Sequence, residues 1–254
     1  TTTLSMGQGT SLAGAFINHT GGALTIAGVS GSGTSTIDIV ASGTIDDTGA
    51  IVGQTLSTSS DGGTTLDVGH TVDSFSATNT TGGNIRFDNG TALDVTGVTQ
   101  VAGANLDINN TGQVTISGEV DDGAGNNPIT QIDIDTGGVG GIVDGGGVLR
   151  ADTINLQTTA ASSGAIGALA NRIETAGTTS LSMGQGTSLA GAFINHTGGA
   201  LTIAGVSGSG TSTIDIVASG TIDDTGAIVG QTLSTSSDGG TTLDVGHTVD
   251  SFSA

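Results

Sequence analysis

The sequence has no cysteine, tryptophan, tyrosine or lysine, a single proline, and only 5 phenylalanines among 254 residues. Each absence excludes something. Without cysteine there is no disulfide framework and no thiolate metal site, as suits a bacterial protein exported unfolded across membranes. Without large aromatics, which supply much of the buried area of compact cores, an ordinary globular interior is hard to fill. Three Arg face 23 acidic residues for a net charge of −20. Such a chain cannot neutralise a phosphate backbone, so nucleic acid and anionic membrane surfaces are excluded as partners. No apolar run approaches the roughly 20 residues of a membrane span, and no membrane insertion is expected. Thr1 opens on no basic, apolar leader, and both ends read as cuts through a longer polypeptide.

What remains is aliphatic and glycine-rich. Hydrophobic residues make up 34%, mostly Val, Ile, Leu and Ala, alongside 47 Gly. That is too apolar for a disordered chain, so the core must be thin and elongated. The chain also repeats itself. Residues 1–77 recur as residues 178–254, an offset of 177, and the only difference is Thr3 against Ser180. The reading is therefore one solenoid unit over 1–177 and the first part of the next over 178–254, continuous with it.

Within the unit run short segments of period 2: Ile37-Asp38-Ile39, Leu66-Asp67-Val68, Leu106-Asp107-Ile108, Ile132-Asp133-Ile134 and Ile154-Asn155-Leu156. Each places aliphatic residues on one face and a polar residue on the other, the pattern of a half-buried strand. Ile37, Ile39, Leu66, Val68, Ile132 and Ile134 are expected inside, and Asp38, Asp67 and Asp133 outside. Gly, Ser, Asn and Asp clusters between the segments supply turns. A β-sandwich and a parallel β-solenoid both fit this rhythm. Asn89-Gly90 is a hairpin signal for the sandwich. The scarcity of aromatics, the short strands and the near-identical duplication favour the solenoid, whose interior is a narrow aliphatic ladder, with Asn89-Gly90 as a coil corner. At two or three strands per coil, one unit holds about six to nine coils and advances about 29–43 Å along the axis.

One stretch carries a family likeness. Leu149-Arg150-Ala151-Asp152-Thr153-Ile154-Asn155-Leu156, then Gly164-Ala165-Ile166-Gly167 and Asn171-Arg172-Ile173-Glu174-Thr175, resembles repeats of the filamentous haemagglutinin family of bacterial exoproteins. The resemblance covers about 30 residues of each unit. It implies an all-β, right-handed parallel β-helix (β-solenoid), secretion to the cell surface, and a role in attachment or aggregation. That family's amino-terminal secretion domain is not among these residues.

Candidate chemistry is sparse. His19, His70, His196 and His247 are two positions seen twice, each without a second His or Cys at metal spacing, and read as exposed loop imidazoles. The pairs Asp46-Asp47, Asp121-Asp122 and Asp223-Asp224 could serve a glycosidase. Their contexts look like turns, and Arg86, Arg150 and Arg172 are too scattered to line a sugar cleft. Asp, Asn and Gly loops are compatible with calcium, which is not required. The segment Gly137-Gly138-Val139-Gly140-Gly141-Ile142-Val143-Asp144 is a poor copy of a calcium-roll repeat. Asn-x-Thr sequons stand at Asn18, Asn79, Asn89, Asn109 and Asn195. Thr residues do not keep a fixed coil position, which argues against ice binding. No catalytic, cofactor-binding or metal residue is assigned, and the chain is not read as an enzyme.

The expected function is that of an extracellular fibre or adhesin segment, joining cells to each other or to a surface. It would self-associate into fibres and use many weak, identical surfaces toward a ligand the sequence does not name. The alternatives are a polysaccharide-degrading β-helix enzyme and a protective sheath without a receptor.

Overall fold

The computed structural model describes residues 1–7, 11–101, 103–124, 129–137, 140–158, 164–184 and 189–254. These residues form a parallel β-solenoid of about 11 turns without a helix, and successive turns lie about 21 residues apart. Short period-2 segments dictate this. Each such segment is too short and too weakly apolar to stand alone, and it is completed by the segments one coil before and one coil after.

One ladder can be followed through the chain. Thr2 pairs with Leu24, Leu24 with Ile45, Ile45 with Thr64 and Thr64 with Ile85. From there the partners are Leu106, Ile132, Ile154 and Leu181. The spatial period is thus the coil, and the 177-residue sequence unit corresponds to eight ladder steps. At about 4.8 Å per coil the unit advances about 38 Å. The eighth step lands on Leu181, two residues past Thr179, the sequence copy of Thr2. An even displacement keeps inward residues inward, whereas an odd one would turn the row inside out. The strand Ile173–Met183 continues across the boundary between the two sequence copies, with a register shift between Gly177 and Thr179.

Alternation is clean where strands are regular. Thr55–Ser60, Gln131–Thr136 and Thr153–Thr158 each bury every second residue. Leu24, Ile45, Thr64, Ile85, Leu106, Ile132, Ile154, Leu181 and Ile203 form one continuous row, aliphatic except at Thr64, each at most 1% exposed. Ile37, Ile39, Leu66 and Ile134 are likewise inside. Asp67 is exposed as expected, while Asp38 and Asp133 are half-buried by neighbouring coils.

Val68 departs from the expectation: it is 45% exposed. The strand Thr64–His70 loses its ladder register between Leu66 and His70. There the amides of Asp67 and Val68 donate to the Asp47 carboxylate, at 3.1 and 3.4 Å, instead of to a neighbouring strand. The bulge turns Val68 outward and brings His70 in. Asn89 ends the strand Ile85–Asn89 at a coil corner, where Gly90 N–H reaches His70 O at 2.8 Å. The segment Ala165–Ala170 is irregular, closed by an antiparallel bridge between Ala168 and Asn171.

Candidate functional site

The most chemically loaded place in the solenoid is its interior. His70 is 1% exposed and Asp47 6%. Asp47 lies at the end of the strand Ile45–Asp47, so the Asp46-Asp47 pair is not a surface turn. The Ile51 amide donates to His70 Nδ1 at 2.9 Å, which assigns the ring proton to Nε2. Nε2 lies 3.1 Å from Asp47 Oδ2. Together with the amides of Asp67 and Val68, this surrounds the buried carboxylate with donors, as a carboxylate inside a protein requires. The imidazole stacks on Phe87, with centroids 5.5 Å apart, and Phe87 stacks on Phe75 at 4.1 Å. Nδ1 of His70 is occupied by the Ile51 amide, and Nε2 makes no well-aligned hydrogen bond and faces the Asp47 carboxylate inside the stack, away from solvent. His247 and Asp224 repeat the pair at 3.3 Å.

His196 is fully buried as well, and Thr175 Oγ lies 2.9 Å from its Nδ1. Burial holds this imidazole below its ordinary pKa, against the smaller opposing effect of backbone hydrogen bonds near Gly177 and Gly199. The reading of the four histidines as exposed loop residues is therefore corrected: His70 and His196 are buried, and His19, at the end of the strand Leu12–His19, and His247 are partly buried. For His70 the physical reason is the coil corner, where the strand Thr64–His70 ends on an inward position that also borders backbone polar groups, while His196 lies within the strand Leu189–Ala218, in register with the buried Thr175. A polar side chain there bonds the corner backbone while its body packs into the stack.

The same logic explains a column of buried polar residues. His70 is followed in register by Asn89, Asn110, Thr136 and Thr158. Asn89 accepts from the Val72 amide at 3.0 Å and donates to Val72 O at 3.2 Å and to Asn110 Oδ1 at 3.0 Å. Asn110 donates to Gly112 O at 2.8 Å. A second column passes through Ser60, Asn79 and Gln100, all at most 1% exposed. The amides of Asn79 and Gln100 both donate to Gly83 O. Of the five sequons, Asn79 and Asn89 are therefore engaged inside, Asn195 bonds Glu174 at 2.7 Å, and Asn18 and Asn109 are exposed.

The outer face is acidic. Arg86, Asp107, Asp133 and Asn155 lie in register on successive coils, as do Asp88, Asn109, Asp135 and Gln157. Asp107, Asp133, Asp135, Gln131, Asn155 and Gln157 line an open groove of about 370 Å³. Partial burial raises the Asp107 pKa above its ordinary value. Arg86 opposes the shift, and the Asp133 and Asp88 carboxylates add to it. Gln131 and Asn155 each donate to Asp133 at 2.6 Å.

The other carboxylate pairs sit apart from this groove. Asp121 is 4% exposed and lies 3.5 Å from Arg150, and Asp121 and Asp122 accept amides of the following turn. Arg172 reaches Asp215 at 2.8 Å across two coils. Among the described residues, no group of three or more His, Cys, Asp or Glu is placed to hold a metal ion. Gly138 and Val139 of the glycine-rich Gly137–Asp144 segment lie outside the described residues. No protein-family model, curated protein or solved structure matches the chain.

Proposed function

We propose that the chain is a segment of an extracellular structural fibre or adhesin, acting through length and repetition. One observation carries this reading: the strand Ile173–Met183 crosses the boundary between sequence copies, so added copies lengthen a single stack without a hinge. An acidic outer face keeps such rods hydrated and apart, and identical surfaces repeated along a rod raise avidity without a strong single site. The likeness of Leu149–Thr175 to filamentous haemagglutinin repeats points the same way, toward secretion, cell-surface display and self-association into fibres.

The test is display of the repeat array on a non-adherent bacterium, scored for cell–cell aggregation and for attachment to matrix-coated surfaces. The adhesive reading expects both to rise with the number of copies. Unchanged aggregation and attachment would overturn it in favour of a sheath. Clearing of polysaccharide gels by the purified chain would overturn it in favour of an enzyme.

A further inference from the structure

Asn89-Gly90 is the one Asn-Gly pair in the sequence. No asparagine context in a polypeptide is more reactive. With no side chain on the glycine, its nitrogen can reach the asparagine carboxamide carbon and close a five-membered ring. In the stack neither partner is free to do so. The Gly90 amide donates to His70 O at 2.8 Å, one coil before. Asn89 is 3% exposed and points inward, in register between His70 and Asn110 of the neighbouring coils. Its Oδ1 accepts from the Val72 amide at 3.0 Å. Its Nδ2 faces Val72 O, Thr91 O and Asn110 Oδ1 at 3.2, 3.1 and 3.0 Å. Bringing the carboxamide carbon onto Gly90 N means turning the side chain out of the column and breaking these bonds together.

We propose that Asn89-Gly90 is a self-modification site, held unreactive by the coil stack and released by any opening of this corner. The reaction needs only water. Gly90 N gives up its proton and attacks Asn89 Cγ, and the new C–N bond expels ammonia to leave a succinimide. Water then opens the ring at either carbonyl, giving aspartate or isoaspartate at residue 89 with no change of oxidation state. Neither product fits the closed corner. An aspartate oxygen in place of Nδ2 would face three acceptors, and its charge would be buried in the column. Isoaspartate threads an extra methylene into the main chain between the strands Ile85–Asn89 and Leu93–Gln100, which shifts the second against its neighbours. Once residue 89 has reacted, the opened corner cannot close again, so the same pair that locks the stack makes its unfolding irreversible. The inference rests on the geometry and chemistry of this corner and is independent of the adhesive reading.

The experiment holds the full chain in mildly alkaline buffer, folded in one arm and unfolded in guanidinium chloride in the other. Residue 89 is followed by peptide mass and by enzymatic methylation of isoaspartate. In the unfolded arm Asn89 should be the first asparagine to react. In the folded arm its rate should be lower by about tenfold or more, set by how rarely the corner opens. Chain returned to buffer at once should regain its urea midpoint, and chain aged until residue 89 has reacted should not. Gly90→Ala places a Cβ 3.3 Å from His70 O and beside the attacking nitrogen. It should slow the reaction of the unfolded chain and keep aged chain able to refold. Asn89→Asp, which matches one product, should lower the urea midpoint more than Asn89→Thr, the residue type found further along the same column at Thr136 and Thr158. Equal rates at residue 89 in the two arms, another asparagine reacting first in the unfolded chain, or full recovery of the midpoint after residue 89 has reacted would overturn the proposal.

Discussion

Residues 64–77 and 241–254 have the same sequence and different structures. In the first copy Phe75 is 0% exposed and Leu66 0%, and residues Thr64–His70 and Ser74–Asn79 are strands. In the second, Phe252 is 55% exposed, Leu243 and Val249 are only partly buried, and the strand is reduced to Ser251–Ser253. The amino-terminal end tells the same story in reverse. Leu4, Met6 and Ile17 are partly buried, whereas Leu181, Met183 and Ile194 are at 0%. Local sequence sets which residues alternate. The coils above and below set whether those residues are a core. In this molecule the hydrophobic interior belongs to the stack, and any single coil holds only one layer of it.

That comparison can be tested by making one substitution in both places. Phe75→Asp should cost on the order of 4 kcal/mol, because it leaves an unpaired charge in an aliphatic interior and strips the partner from Phe87. Phe252→Asp should change stability by about 0.5 kcal/mol or less. Urea unfolding of the two variants measures both. Equal losses would mean that the second copy is packed as tightly as the first.

Much of the fold is legible in the sequence alone. The triplets around Asp38, Asp107 and Asp133 identify strands, inward rows and the absence of a wide core. The departures share one cause. Val68 turns outward because of Asp47, one coil earlier, and a pattern confined to Leu66-Asp67-Val68 cannot register that. His70 and His196 look like loop residues beside Gly and Thr. Their inward position comes from rungs one coil away, Asn89 for the first and Thr175 for the second. The sequence does hold a usable signal. His70, Asn89, Asn110, Thr136 and Thr158 recur at roughly coil spacing, each ending a strand, which marks a polar column once the coil length is known. The Asp47–His70 pair depends on that length and on the bulge together, and only the folded stack reveals both.

A smaller effect separates backbone strain from coil contact. Gly63 and its copy Gly240 both have positive φ, +103° and +95°. A Cβ at Gly63 would lie 2.8 Å from Asn84 O of the next coil, while at Gly240 it would meet nothing within 4 Å. Gly240→Ala should therefore cost only the left-handed penalty, about 1–2 kcal/mol. Gly63→Ala should cost about 1 kcal/mol more, the added loss coming from the displaced corner. Thermal unfolding of both variants gives the difference. Equal values would remove the contact from the account.

The smallest effect concerns His196. Its pKa is depressed in the folded chain, so the unfolded chain binds the proton more readily. Stability should then fall as pH drops below about 6.5, the unfolded value, and continue falling until the folded pKa is reached. His196→Thr places at this rung the residue found one coil earlier, Thr175, and removes that proton. The urea midpoint of the variant should move less between pH 7 and pH 5 than that of the parent chain. The same pH slope in both would show that His196 titrates alike in the folded and unfolded states.

The central claim is that one 177-residue copy is eight stacked coils continuous with the next copy, and the axial period of an array of copies measures it directly. Fibre diffraction or cryo-microscopy should show a strong layer near 4.8 Å along the axis, and a repeat of about 38 Å from copy to copy. Beads spaced more than about 50 Å apart, without the 4.8 Å layer, would contradict the continuous solenoid.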